Sequence, residues 1–252
     1  MSIDSHFCLI AGEMVWISIP FCLAGIAFRI HQWSRVPRSE VRLGMFGTGD
    51  PGTSRWLKLG RDSFLFPQVL DIDRRMWGFV IVFHAAVVAL FIGHLRLIVE
   101  FTSLAGALGE RGMEQFAFLS GGAIGIILLI AVLYFLIRRL TSPGRAMSTP
   151  GDYALLILIL LVLLTGNSMR FLGDVPITAY RQYVSGLLAF SPAVPAALDT
   201  SAARWSLGVH VMFANFFFIY FPFSKLMHVI GSLATNLIRS DYPWMSSFKR
   251  PS

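Results

Sequence analysis

The chain has 252 residues, of which 55% are hydrophobic and only 14% charged, and its mean hydropathy is +0.66. Soluble domains carry about a quarter charged residues, so this composition excludes a soluble enzyme, a disordered tail and a disulfide-stapled secreted module. What remains is an integral membrane protein, and the net charge of +7 is then a matter of topology rather than of nucleic-acid binding.

A helix crossing the hydrocarbon core needs about 20 apolar residues, and five segments supply them. The first runs from Phe7 to Phe28 and is the weakest, because it contains Glu13 and Pro20. Its cysteines, Cys8 and Cys22, stand 14 positions apart. That is about 21 Å along a helix, too far for a disulfide. The chain has no CxxCH motif for covalent haem and no cysteine cluster for zinc or an iron–sulfur centre, so any such cluster belongs to another subunit. The first basic residue is Arg29, so the basic start of a cleavable signal peptide is missing.

The stretch from His31 to Met76 is long for a connection between helices. Its GTGDPGTSRW run (residues 47–56) lacks the Gly-Lys-Ser/Thr ending of a phosphate loop and reads as a turn-rich linker. After it, Trp56, Leu57, Leu59, Phe64 and Leu65 interleave with Arg55, Lys58 and Arg61. This pattern suits a helix on the inner membrane surface, or a dock for a cytoplasmic partner. The second span runs Trp77 to Val99, the third Leu119 to Ile137 and the fourth Ala154 to Leu172. Beyond the fourth, Ile177, Tyr180, Val184, Leu187 and Leu188 repeat at helical spacing, as an interfacial helix or the roof of a ligand pocket. The fifth span runs Trp205 to Ile230. Continuous apolar runs exclude the alternation of a β-barrel. The expected fold is therefore all-α, a single five-helix membrane bundle over residues 1–252.

Lys and Arg set the direction. Sixteen of the 21 fall on one side, nine of them between Arg29 and Arg75. The other side keeps five: Arg96, Arg111, Arg170, Arg181 and Arg204. The richer side faces the cytoplasm, which places the N-terminus outside and the C-terminus inside a bacterial inner membrane.

Six histidines are present; His6 and His31 sit at or beyond span ends, whereas His84 and His94 lie on the second span and His210 and His228 on the fifth. Ionisable groups inside a membrane are costly and mark function by default. The two spans run antiparallel, so heights pair His84 with His228 toward the inside and His94 with His210 toward the outside. The spacing of 18 on the fifth span is five helical turns, whereas the spacing of 10 on the second falls about 80° short of three. The rises, about 27 Å and 15 Å, are unequal, and a bend at Pro222 would absorb the difference. Ala85, Ala86, Ala89, Gly93, Gly208 and Ala214 beside these rings leave room for a flat macrocycle, or else let helices pack closely. Zinc or copper sites usually recruit acids or thiolates too, and neither span supplies an acid near the rings. Clustered diiron-type histidine boxes are also absent. Two bis-histidine b haems fit this pattern best, and sites at two depths suit electron transfer across the bilayer.

The segments FHAAVVALFIGHLR (83–96), TGNSMRF (165–171) and PFSKLMH (222–228) resemble the dihaem cytochrome b subunits of the nitrate-reductase gamma family. The likeness is nearest to its DsrM branch in the sulfite-reductase-linked Dsr membrane complexes, with the heterodisulfide reductase and Tmc/Hmc cytochromes as cousins. The resemblance implies five helices, two b haems, a quinone or menaquinone site near the outer haem, and a cytoplasmic iron–sulfur partner. In the Dsr case that partner is DsrK-like, with further DsrJ-, DsrO- and DsrP-like subunits. The long first loop departs from the nitrate-reductase members and argues against nitrate as final acceptor.

Asn167 and Arg170 share a face of the fourth span, and Arg96 lies just past His94. They read either as interfacial snorkelling groups or as contacts to haem propionates or quinone. Ser224 and Lys225, with Arg74 and Arg75, stand where the inner haem's propionates would lie, although anchoring suits the two arginines better. Glu13, Glu100 and Glu114 are candidate proton acceptors on the outer side. Two rival readings remain: a transporter that uses the histidines for metal or protons, and a redox-silent anchor for a peripheral complex.

Overall fold

A computed structural model describes residues 3–35, 54–173, 175–200 and 203–241. Arg38, Arg42, Lys249, Arg250 and most of the glycine-rich run fall outside them. Helix α1 (Ile3–Glu13) and α2 (Val15–Ser34) together form the first long apolar run. Helix α5 (Arg74–Leu95), α6 (Thr102–Leu140), α7 (Pro150–Leu172) and α10 (Ala203–Tyr220) supply the other four. Five helical segments of the described chain are thus long and apolar enough to cross a membrane, as expected of a multi-pass membrane protein. Many of their large apolar side chains point outward, Ile17, Leu23, Val88, Phe91, Leu119 and Ile130 among them, which is the surface a lipid-facing helix needs.

Local chemistry sets the helix ends. The Asp73 side chain caps α5 by accepting from the Met76 amide (2.9 Å). Thr149 and Asp152 form a capping box at the start of α7, with Pro150 as its first residue, where its missing N–H costs nothing. Helix α6 begins well before the expected Leu119, bends at Gly109 (φ +69°) and runs 39 residues. Its first turns carry Glu110, Arg111 and Glu114, and a hydropathy reading stops where such polar residues begin.

The fifth span departs from expectation. The sequence predicts a span from Trp205 to Ile230 with a bend at Pro222; the structure breaks it there instead, α10 ending at Tyr220 and two short 3-10 turns, Phe221–Phe223 and Lys225–Met227, following. Helix α11 (His228–Asp241) then starts at the histidine itself. Pro222 is the cause: it lacks an N–H and clashes with the carbonyl four residues back. Ser224 fixes the new direction by accepting from the Leu226 amide (3.1 Å). The turn count that placed His210 and His228 on one helical face therefore does not apply. Gly25 on α2 admits the break, since a Cβ there would lie 2.7 Å from the Pro222 ring.

Helix α5 packs on α6, α6 on α7, α7 on α10, and α10 on both α1 and α2. In this series α5 and α10 are not close-packed neighbours. One core cluster, Ala86, Leu128, Val132 and Leu163, joins α5, α6 and α7. At the other flank, buried Asn215 of α10 donates to the Ala11 carbonyl (2.8 Å) and accepts from Ser18. A polar tie of this kind fixes one register between apolar helices.

Two layers close the ends. At the His84 end, α3 (Arg55–Phe64) packs on α11, and α4 (Pro67–Ile72) packs on α5. At the His94 end, α8 (Ile177–Leu188) and the single turn α9 (Ala196–Asp199) lie against the start of α1. The buried face of α8 is Ala179, Tyr183 and Leu187. It is rotated from the expected stripe, and Leu188 is exposed. That face packs into a core with Cys8, Leu198 and Leu207, and the Tyr183 hydroxyl donates to the Cys8 carbonyl (2.7 Å), in the space left by Gly12.

Candidate functional site

Three of the four histidines lie on the spans, His84 and His94 on α5 and His210 on α10, whereas His228 stands beyond the fifth span, exposed at the start of α11. His84 and His228 meet at one end, with ring centroids 6.1 Å apart and planes at 84°. The break at Pro222 makes this possible by returning the chain toward α5. His94 lies within electrostatic reach of His210 at the other end. Among the described residues no three His, Cys, Asp or Glu side chains converge; the histidines come in twos.

A shared feature orients all four rings. The Nδ1 of His84 faces the Val80 carbonyl at 2.7 Å, that of His94 the Leu90 carbonyl at 2.9 Å, that of His210 the Val162 carbonyl at 3.0 Å, and that of His228 the Lys225 carbonyl at 2.8 Å. A carbonyl oxygen only accepts, so each Nδ1 carries a proton, and in the neutral ring Nε2 is then the nitrogen with the lone pair. This second contact is the one a metal-ligating histidine makes.

His210 is seated on α7 by residues that sequence reasoning left aside. The Thr165 hydroxyl lies 3.2 Å from its Nδ1. A Cβ at Gly166 would stand 3.1 Å from its Cε1. The only sequence signal was the Thr-Gly pair of TGNSMRF, and its meaning depends on which helix packs opposite. Two of the small residues have packing roles instead: Gly208 accommodates Phe7 and Cys8 of α1, and Ala86 belongs to the α5–α6–α7 core. Gly93, beside His94, faces open space.

The polar residues of the His94 end form one group. Arg96 is buried and pairs through Nε with Glu100 (3.5 Å). Arg181 pairs with the other Glu100 oxygen and donates through Nε to the Arg96 carbonyl (2.8 Å). Arg170 lies over Gly121, where a Cβ would come within 2.9 Å of its guanidinium, and Asn167 lies over Gly125. Arg170 is also within electrostatic reach of Tyr180 and Arg96. Burial pushes the Tyr180 phenol up, and the Arg170 charge opposes it. Three guanidiniums thus stand against one carboxylate. Among the described residues the Asn167 Nδ2 and the Tyr180 hydroxyl are buried without a partner, as groups that meet water or a bound molecule would be. Glu100 is tied into this network, whereas Glu13 and Glu114 are exposed.

At the His84 end, the Lys225 ammonium pairs with Asp152 (2.7 Å), which also holds Arg139 (3.2 Å). The Ser224 hydroxyl donates to the Phe221 carbonyl (2.9 Å). Both nevertheless line a groove of about 650 Å³ that includes His228, Arg29 and Trp33. Arg74 and Arg75 are exposed at the start of α5, as anchoring groups would be.

Residues 67–246, well over half of the chain and all four of these histidines, match the family described as the nitrate reductase gamma subunit. The chain belongs to the nitrate reductase gamma subunit family. Within the reach of that family, it is 26% identical over 258 residues to the Hdr-like menaquinol oxidoreductase cytochrome b-like subunit of Archaeoglobus fulgidus, covering 88% of this chain and 77% of that one. The protein of the same description from Archaeoglobus profundus is 28% identical over 171 residues, 64% of this chain and about half (49%) of the relative. The respiratory nitrate reductase 1 gamma chain of Escherichia coli is 26% identical over 159 residues, 58% of this chain and 68% of that one.

Proposed function

We propose that this member of the nitrate reductase gamma family is a dihaem b membrane subunit. It exchanges electrons between a membrane quinone, menaquinone by analogy with the Archaeoglobus relatives, and a cytoplasmic iron–sulfur subunit of the heterodisulfide-reductase or DsrK type. The observation that carries the reading is the common state of the four imidazoles, each with Nδ1 on a carbonyl and Nε2 available. Two imidazoles sharing one metal at about 2 Å each stand with ring centres roughly 6 Å apart, which the 6.1 Å between His84 and His228 matches. Haem held in this way supplies reversible one-electron transfer at a potential set by its ligands and burial.

The residues divide the remaining work. His84 and His228 hold the inner group and His94 and His210 the outer one, in the orientation that the positive-inside rule gives. Arg96, Arg170 and Arg181 offset the two carboxylates of the outer group. The Asn167 amide and the Tyr180 hydroxyl are positioned to donate to a quinone oxygen at the same end, in a site from which apolar helices exclude water. At the inner end Arg29 and Lys225 flank His228. An electron moving inward from the outer site crosses a field of about 2.3 kcal/mol per 100 mV, so direction decides whether the complex builds or consumes membrane potential.

Variants with one pair removed test the assignment. A menaquinol analogue is expected to reduce the remaining haem of His84→Ala promptly, because the outer site is intact. In His94→Ala the remaining haem should stay oxidised under the same conditions. The reverse pattern would place the quinone site at the inner end and overturn the reading.

A further inference from the structure

The segment between α3 and α4 brings one aromatic ring directly onto His84 of the inner pair. Phe66 lies with its ring centroid 4.8 Å from that of His84, at 47°. Its backbone is left-handed (φ +47°, ψ +52°), a region costly for a bulky side chain. It also precedes Pro67, which favours extended backbone at this position. Such strain persists only where the surroundings hold it, and here they do. The Trp77 indole of α5 donates to the Leu65 carbonyl (2.7 Å), and the Val69 amide donates to the Phe66 carbonyl (2.9 Å) as α4 begins. Phe83 closes a second side of His84, edge-on at 5.4 Å.

The layer that delivers Phe66 also carries the other ligand. Helix α3 packs on α11, whose first residue is His228, and the Asn236 amide donates to the Ser63 hydroxyl (3.2 Å) across that contact. One unit at the basic end therefore touches both inner imidazoles: α11 through His228 and the α3–α4 segment through Phe66.

We infer that Phe66 is a positioning residue for His84, holding that ring and screening it from water on the side of the α3–α4 segment, while His228 faces its groove. This rests on the dihaem reading given under Proposed function. Oxidised bis-imidazole haem carries one more positive charge than the reduced form, and water stabilises that charge. A ring that keeps water away therefore raises the inner haem's potential. The long first loop thereby acts on the redox centre as well as connecting two helices.

Potentiometric titration of the purified holoprotein, followed optically and by electron paramagnetic resonance, tests this. The inner haem is identified as the one lost in His228→Ala. Phe66→Ala is expected to lower the inner midpoint potential and shift that haem's low-spin signal, with the outer haem unchanged. Phe66→Leu, which restores apolar volume, should recover most of the shift. Loss of the inner haem alone in Phe66→Ala, with retention in Phe66→Leu, gives the same support. Two retained haems with unmoved potentials in Phe66→Ala would overturn the inference, as would loss of haem in both variants. A wild-type preparation without haem would instead defeat the underlying dihaem reading.

Discussion

Each intramembrane histidine depends on an atom outside its own ring, and that dependence is open to single substitutions. His210 shows it best, because its ring rests on the backbone of Gly166. A Cβ there would sit 3.1 Å from Cε1, tighter than a ring in contact tolerates without moving. Gly166→Ala is expected to perturb the low-spin signal of the outer haem and leave the inner one unchanged; equal changes in both would contradict the seating described here. Tyr183 offers a stability test away from the cofactors. Tyr183→Phe removes the bond to the Cys8 carbonyl and should cost about 1 kcal/mol, read as a lower thermal midpoint. Gly12→Ala crowds the same hydroxyl, so its penalty should be smaller in the Tyr183→Phe background than in the wild type. The histidines were legible in the sequence because four imidazoles in apolar spans have no bland explanation. Gly166, Gly121 and Gly125 were not, since a glycine's use depends on what the opposite helix brings to it. Tyr180 was visible only as part of an amphipathic stripe.

At the scale of elements, the break after Tyr220 matters most. Beyond it two 3-10 turns lead into α11, whose first residue, His228, lies against His84. Pro222→Ala restores an N–H and removes the clash with the preceding turn. Helix α10 should then continue and carry His228 away, with selective loss of the inner haem. Full retention of both haems in this variant would show that Ser224 and the 3-10 turns suffice. The start of α5 carries a pH-dependent contribution. The Met76 amide and the Arg138 guanidinium hold the Asp73 carboxyl below the usual carboxylate range. A carboxyl depressed in the folded state stabilises above its unfolded value of about 3.9, and that stability is lost as pH falls through the folded value. Asn caps a helix nearly as well as Asp, so Asp73→Asn isolates the charge. The variant should melt below the wild type at neutral pH and converge with it as the medium is acidified below about pH 4. Hydropathy located the five apolar runs and the proline, but not that α6 would extend through polar turns or that α11 would start at His228. Those outcomes follow from capping and packing, which act between segments distant in sequence.

For the molecule as a whole, α5 and the α10–α11 segment pack little against each other through their backbones, yet the imidazoles of His84 and His228 meet between them. A bundle meant only as an anchor would close such a gap with apolar packing. Membership of the nitrate reductase gamma family, together with relatives described as cytochrome b-like, points the same way. The composition already excluded a soluble protein, and the histidine spacing already named the two facing spans. The most direct measurement is the haem and iron content of the purified wild-type chain, set beside its reduced-minus-oxidised spectrum. The account expects two b-type haems per polypeptide, each bound by two histidines; one haem, none, or a different metal in their place would contradict it.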